Sequence, residues 1–179
     1  MTYRITLLFL LLFLKTFSQD DDKTQGLFYK ISLAGTLMHN ENFELGNSDS
    51  ESFIILNALF FNNTFGLQID NRFSAGLNLE YEGHLKQNLN FLPAYVSLRY
   101  VLFQYEDNFF IRGGYGRLLK LNDNFERGGF YKAGMGFQIF NEDYRNSFLI
   151  GLDFTRKQYG FIRHSKISSV SVFLEFEVF

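Results

Sequence analysis

The chain has no cysteine, no tryptophan and a single proline among its 179 residues. Without cysteine there is no disulfide framework, no thiolate metal site, no thiol nucleophile and no lipid-modified N-terminal cysteine. With only Pro93, long stretches are free of the residue that most often interrupts a strand. No sign of charge dominates: 17 basic and 19 acidic residues leave a net charge of −2, which excludes the basic footprint of a nucleic-acid partner. Beyond the first 18 residues nothing approaches the ~20 apolar residues of a spanning helix. Mean hydropathy is near neutral, so a helical membrane protein is excluded as well. The length suits one domain.

The N-terminus reads as a segment removed on export. Arg4 supplies a positive start, and residues 5–14 are apolar but for Thr6. Thr16 and Ser18 are the small residues three and one before a cut ahead of Gln19. Residues 1–18 are therefore expected to be a signal peptide, 19–26 a short periplasmic segment and 27–179 the folded body. The first 18 residues hold two bases, Arg4 and Lys15, and no acid, so the remaining 161 carry a net charge of −4.

What the chain has in excess is aromatic: 24 Phe and 10 Tyr, which favour strands. Eight stretches alternate apolar and polar residues with the period of a strand. Leu77, Leu79 and Tyr81 oppose Gly76, Asn78 and Glu80; Met135, Phe137 and Ile139 oppose Gly134, Gly136 and Gln138; Leu174, Phe176 and Val178 oppose Glu175 and Glu177. The connectors fall at about residues 38–52, 70–71, 83–91, 105–108, 120–128, 141–146 and 158–166, alternately long and short. Tight turns on the periplasmic side and larger loops outside are the rhythm of an outer-membrane barrel. The fold expected is all-β: an eight-stranded antiparallel up-and-down transmembrane β-barrel with both termini periplasmic. Asn57 and Asn63 break the apolar phase of the second strand, which predicts a bulge or emergence from the membrane there.

Alternation alone does not say which face is inside, because a soluble barrel alternates too. Volume decides. The polar phase carries Gly66, Gly76, Gly114, Gly116, Gly134, Gly136 and Gly151, whereas the apolar phase is mostly Leu, Ile, Phe and Tyr. An eight-stranded barrel has an interior just wide enough for side chains to fill, so bulky residues belong outside and small ones inside. Leu77, Leu79, Leu98, Phe137, Ile150, Leu152, Leu174 and Phe176 are expected to point outward, and so large an apolar exterior needs lipid.

Several segments carry a family likeness: Phe65-Gly66-Leu67-Gln68 leading to Ser74-Ala75-Gly76-Leu77, Leu92-Pro93-Ala94-Tyr95 with Leu98-Arg99-Tyr100, and Ile111-Arg112-Gly113-Gly114-Tyr115. Gly128-Gly129-Phe130-Tyr131 with Gly134-Met135-Gly136 and the terminal Phe179 complete the set. Over residues 64–179 the chain resembles the small porin-like outer-membrane β-barrel proteins of Gram-negative bacteria. The resemblance implies the fold and the outer membrane, with outer-membrane lipid, lipopolysaccharide and the barrel assembly machinery as partners and no catalytic residues to carry over. One departure is that such barrels end on an aromatic in the lipid-facing phase, while Phe179 shares its phase with Glu175 and Glu177. Either Leu174, Phe176 and Val178 serve instead, or Phe179 lies just past the strand.

The inward phase holds Lys30, Arg99, Arg112 and Lys132 against Glu80, Asp153, Glu175 and Glu177, four of each sign. A selective pore more often carries a ring of one sign, so the expectation is a lumen charge network that plugs the barrel. Counting from the strand ends places Lys30 opposite Glu175 or Glu177 across the closing seam. His39, His84 and His164 all fall in long connectors, with Glu41 and Glu44 near, but their spacing matches no metal-ligand motif. His164-Ser165, or His39 with Asp49 and Ser50, are the residues a rim active site would draw on. No nucleophile motif accompanies them, so no catalytic, cofactor or metal site is assigned. Asn62-Asn63-Thr64, a glycosylation sequon by spacing, sits within a strand. The first loop is acidic (Glu41, Glu44, Asp49, Glu51) and the last basic (Arg163 and Lys166, with Arg156 and Lys157 at its edge). The function expected is non-enzymatic, membrane-structural or surface interaction through the loops. The alternatives are a narrow porin for small solutes or ions and an enzyme with its site at the rim.

Overall fold

The computed structural model describes residues 25–39, 54–84, 89–104, 107–122, 125–142, 144–159 and 165–179. The expected signal peptide therefore lies outside the described residues. Nine strands follow one another: β1 (Gly26–His39), β2 (Ile54–Gln68), β3 (Phe73–His84), β4 (Leu89–Phe91), β5 (Pro93–Gln104), β6 (Asp107–Leu118), β7 (Gly128–Phe140), β8 (Asn146–Tyr159) and β9 (Ser165–Val178). All pairings between them are antiparallel, in the order β2-β1-β9-β8-β7-β6-β5-β3, and β2 also pairs with β3, which closes the sheet. Three-residue β4 extends β5 along β3 in the same register. The break falls at Leu92–Pro93, where the proline has no N–H to give the ladder. The result is a closed eight-stranded antiparallel up-and-down barrel.

Following the register once round shows its stagger. Gly26 pairs with Gln68, Gln68 with Ser74, Ser74 with Arg99, Arg99 with Arg112, Arg112 with Gly134, Gly134 with Asp153, Asp153 with Ser171 and Ser171 with Thr36. The circuit returns to β1 ten residues further on. Eight strands with that shear tilt by about 40° and enclose a radius of roughly 8 Å. Side chains from opposite walls meet across such a lumen.

The exterior is an apolar belt. Leu77, Leu79, Leu98, Phe137, Ile150, Leu152, Leu174 and Phe176 are each 38–65% exposed. Between them stand polar residues of the opposite phase buried inside, such as Asn78, Glu80, Gln138, Asp153 and Glu175. This is an inside-out distribution that water does not support. Exposed tyrosines flank the belt: Tyr29 and Tyr100 toward the end that carries the termini, Tyr81, Tyr115 and Tyr131 toward the other. Amphipathic rings gather at such edges in membrane barrels.

The two asparagines of β2 have separate causes. The pairing with β1 shifts between Thr36 and Leu37, which leaves Asn57 as the unpaired residue of a bulge, with its side chain buried. Asn63 stays on the outer face, where it accepts a 2.6 Å hydrogen bond from the Tyr29 hydroxyl. Phe179 lies one residue past β9; its ring sits 6.0 Å from that of the inward Phe28 and its N–H donates to the Arg145 carbonyl. The short turns are locally determined. The Asp70 carboxylate accepts from the N–H groups of Arg72 (2.7 Å) and Phe73 (2.6 Å), an Asx turn. Tyr144 takes a left-handed φ of 55° between β7 and β8.

Several strands outrun their sequence bounds. β3 reaches His84, so that histidine is a strand residue with a buried side chain and not part of an exposed loop. β8 likewise carries Lys157 inward at its far end. The inward phase continues past the membrane edge because each ladder still has a partner there.

Leu152 lies midway along β8. Replacing it by Arg is expected to cost about 2–4 kcal/mol of folding free energy, and Arg at Leu27, at the belt edge, about 0–1 kcal/mol. Reversible urea unfolding of the two variants in lipid vesicles checks the gradient.

Candidate functional site: the occluded lumen

The interior is built from the glycines upward. A Cβ on Gly66 would stand 2.2 Å from the Phe28 ring, one on Gly151 2.7 Å from the Phe173 ring and one on Gly114 2.9 Å from Tyr95. Bulky groups on one strand thus fill the space that glycines leave on another. Phe28, Phe60, Phe91, Phe110, Phe130, Phe173 and Leu149 are all buried inside. The inward phase is not simply the small one, as the volume argument alone suggests; it mixes glycines with aromatics in complementary places.

Charges are set among these rings, and most of the bridges cross the lumen. Near the terminal end Arg99 of β5 donates to both carboxylate oxygens of Glu177 on β9, at 2.8 and 3.0 Å. Those two strands stand on opposite sides of the eight-strand ring. Arg99 also donates to Gln68 (2.9 Å) and Ser74 (3.0 Å). Its guanidinium lies between the Phe28 and Phe110 rings, 5.6 and 5.7 Å from their centroids.

In the middle, Arg112 of β6 donates to both oxygens of Asp153 (2.8 and 2.6 Å) and to Glu175 (2.7 Å), stacked 3.7 Å above the Phe173 ring. Lys30 is paired with Glu175 at 2.9 Å, although its backbone partner across the seam is Glu177. Strand tilt lowers the contact by two residues. Lys132 of β7 reaches Glu80 of β3 at 2.5 Å, and the Tyr95 hydroxyl donates to the same Glu80 oxygen at 2.8 Å. All eight residues of the expected network face the lumen, in two groups: Arg99 with Glu177, and a chain from Lys30 through Glu175, Arg112 and Asp153 to Lys132 and Glu80, its middle link the 3.7 Å contact of Lys132 with Asp153.

A third tier, at the loop end, is absent from that set. Lys157 of β8 is paired with Glu82 of β3, again across the ring, and His84 Nε2 lies 3.3 Å from the same Glu82 oxygen. Phe60 and Phe91 flank the ammonium at 5.1 and 5.4 Å. The signal for it is the even phase of β3 and the odd phase of β8, continued two and four residues beyond Glu80 and Asp153. Of the other histidines, His39 ends β1 and His164 lies outside the described residues, as do Glu41, Glu44, Asp49, Ser50 and Glu51. Among the described residues no group of three or more His, Cys, Asp or Glu side chains could hold a metal ion.

Arg99 and Arg112 are direct backbone partners. Like charges face to face repel, so each needs carboxylates from strands two to four places round the ring. Those partners, reaching in from other strands, occlude the bore. A cavity of about 20 Å³ remains near Lys30, Asn62, Asn78, Ser97, Arg99 and Arg112, room for about one water molecule.

No protein-family model and no curated protein sequence matches the chain. Among solved structures, Neisserial surface protein A (NspA) superposes with a TM-score of 0.59 at 11% identity, covering 86% of this chain and 96% of that one. The chain has the fold of the small eight-stranded outer-membrane barrels. The N-terminal β-barrel domain of Pseudomonas aeruginosa OprF (TM-score 0.48, 11% identity, 84% of this chain and 96% of that) and Ail, the attachment invasion locus protein of Yersinia pestis (0.43, 11%, 87% and 98%), align more loosely.

Two outcomes test the interior. Arg112→Ala leaves Glu175 with Lys30 alone and Asp153 with only the longer contact to Lys132, and is expected to lower stability by about 3–5 kcal/mol, read from the urea midpoint in detergent. Gly66→Ala is expected to cost about 1–3 kcal/mol by overpacking against Phe28. In the Phe28→Ala background that cost should largely vanish, since the clashing ring is gone.

Proposed function

We propose that this chain is a closed outer-membrane barrel without catalytic activity, acting as a membrane-structural element and through the connectors at the end opposite its termini. The single observation that carries this reading is the set of ion pairs spanning the lumen. Arg99–Glu177 and Lys157–Glu82 each join strands half a turn apart, with buried aromatic rings around them. A pathway for solutes would have to break desolvated charge pairs at three successive levels. The apolar belt supports a setting in lipid, with outer-membrane lipid and lipopolysaccharide around it and barrel assembly machinery inserting it. An even number of staves places both termini on one side. The short turns at that end and the longer connectors at the other favour termini in the periplasm.

Planar-bilayer recording of the refolded chain is expected to show no stable conductance steps; regular ohmic openings would replace this reading with that of a narrow porin. The chain's lack of cysteine makes orientation directly testable. Leu121→Cys, at an exposed position after β6, should react with a membrane-impermeant maleimide on intact cells. Asn71→Cys, in the turn between β2 and β3, should react only after the outer membrane is opened. The reverse pattern would invert the topology.

A further inference from the structure

The exterior is not uniformly apolar at its two edges. At the terminal end the exposed charges are mixed: Asp70, Arg72, Asp107, Glu142 and Arg145. At the loop end, over β6 to β9, the exposed charges among the described residues are basic, Arg117, Arg127, Arg156 and Lys166 included. Glu126, between β6 and β7, is only partly exposed.

These residues are organised by the register. Arg117, Gly129, Gln158 and Lys166 are successive partners across four strands and make one row. The row beneath it is Tyr115, Tyr131, Arg156 and Ser168. The buried neighbours Leu118 and Lys157 point into the barrel, so Arg117 and Arg156 point out.

The upper row has a gap. A Cβ on Gly129 would meet nothing closer than Tyr131 Cε2 at 4.0 Å, so open space lies between Arg117 on one side and Gln158 on the other. Arg156 flanks it diagonally from below, and Arg127 precedes β7 by one residue. Tyr115 and Tyr131 form the floor, their ring centroids 5.2 Å apart. Strands about 4.8 Å apart and diagonal neighbours about 7–8 Å apart keep all of these within reach of one small anion.

We propose that this row is a binding site for the phosphorylated headgroup of a lipid in the leaflet at the loop end. The phosphate lies in the Gly129 gap between Arg117 and Arg156, the Gln158 amide donates to it, and the tyrosine pair lies along the first carbons of the chain. Guanidinium groups suit phosphate because two parallel N–H donors meet two oxygens. The position explains why a lipid and not a soluble anion is the ligand: the gap opens at the upper edge of the apolar belt, one row above the tyrosines, where headgroups lie. The site rests on the membrane-spanning reading and is independent of what the connectors bind.

The test uses the folded full chain in neutral detergent, with native mass spectrometry counting the lipids retained. The probes are diphosphoryl lipid A, phosphatidylglycerol, phosphatidylcholine and inorganic phosphate. The expected result is retention of lipid A and phosphatidylglycerol, little phosphatidylcholine, and no protection by inorganic phosphate at equal concentration. Arg117→Ser with Arg156→Ser should weaken retention at least tenfold, since each basic residue near an anionic surface contributes about fivefold. Arg72→Ser with Arg145→Ser, at the other edge, should leave it unchanged. Gly129→Leu, which fills the gap and keeps every charge, should weaken it as well.

Heat-modifiable gel mobility reports that each variant remains a folded barrel. Equal retention by the wild type and the Arg117/Arg156 variant would overturn the site, as would phosphatidylcholine held as tightly as phosphatidylglycerol. Tighter binding of lipid A than of phosphatidylglycerol would assign the site to a glycolipid, and the converse to a glycerophospholipid. Loss of the heat-modifiable band in the wild type itself would instead strike at the membrane reading on which the site depends.

Discussion

Everything inside this molecule follows from how narrow it is. Eight strands staggered by ten residues leave a lumen across which a side chain on one wall touches a side chain on the other. The inward side chains of the walls meet directly, in clusters such as Phe60, Phe110, Leu149 and Phe173, so each interior position is shaped by residues on neighbouring and facing strands. Gly66 faces its register partner Phe28, and Gly151 its partner Phe173, because one strand must yield where its neighbour fills. The same narrowness lets Arg99 reach Glu177 and Lys157 reach Glu82.

Placing cations between carboxylates and aromatic faces meets two demands together. A charge withdrawn from water is costly unless it is paired and hydrogen-bonded, and the lumen offers little solvent. The Arg112 guanidinium spends its donors on Asp153 and Glu175 and its flat face on Phe173. Lys132 does the same with Glu80 against Tyr95 and Phe130. On the other face of the wall the rule is inverted: a polar group is tolerated only when satisfied locally, as Asn63 is by Tyr29. The two faces of one sheet thus solve opposite solvation problems with the same period-two alternation.

Much of the architecture is legible in the sequence because that alternation is so regular. Leu77, Leu79 and Tyr81 against Gly76, Asn78 and Glu80 separate outside from inside, since only one of the two sets fits an eight-stranded lumen. The contact of Lys30 with Glu175 is reachable from their distances to the strand ends, to within the two-residue drop that tilt introduces. The inward phenylalanines are harder to read. Phe60, Phe110, Phe130 and Phe173 sit in the polar phase, and nothing within a strand says that Phe110, Phe130 or Phe173 is matched by a glycine at its register position on the neighbouring strand. Glu82, His84 and Lys157 are missed for another reason. Charged and glycine residues near a connector resemble loop, and only the ladder to the neighbouring strand shows that the inward phase persists through them.

Burial of ion pairs is weak evidence for stability, since apolar groups of similar volume often serve as well. Their contribution here lies in register. A slip of one residue exchanges the two faces of a strand and is forbidden by the belt, but a slip of two restores every outward residue to the outside. Were β9 to slip by two against β1 and β8, Leu174 and Phe176 would each move by one outward position within the belt at little cost. Glu177 and Glu175 would leave Arg99, Arg112 and Lys30 with displaced partners, and Phe173 would leave the space held open by Gly136 and Gly151. The apolar exterior distinguishes inside from outside, and the charged, aromatic interior distinguishes one register from the next. A barrel that closes β1 onto β9, its first and last strands, depends on the second distinction at that seam more than anywhere else, because no turn joins the two strands to set it.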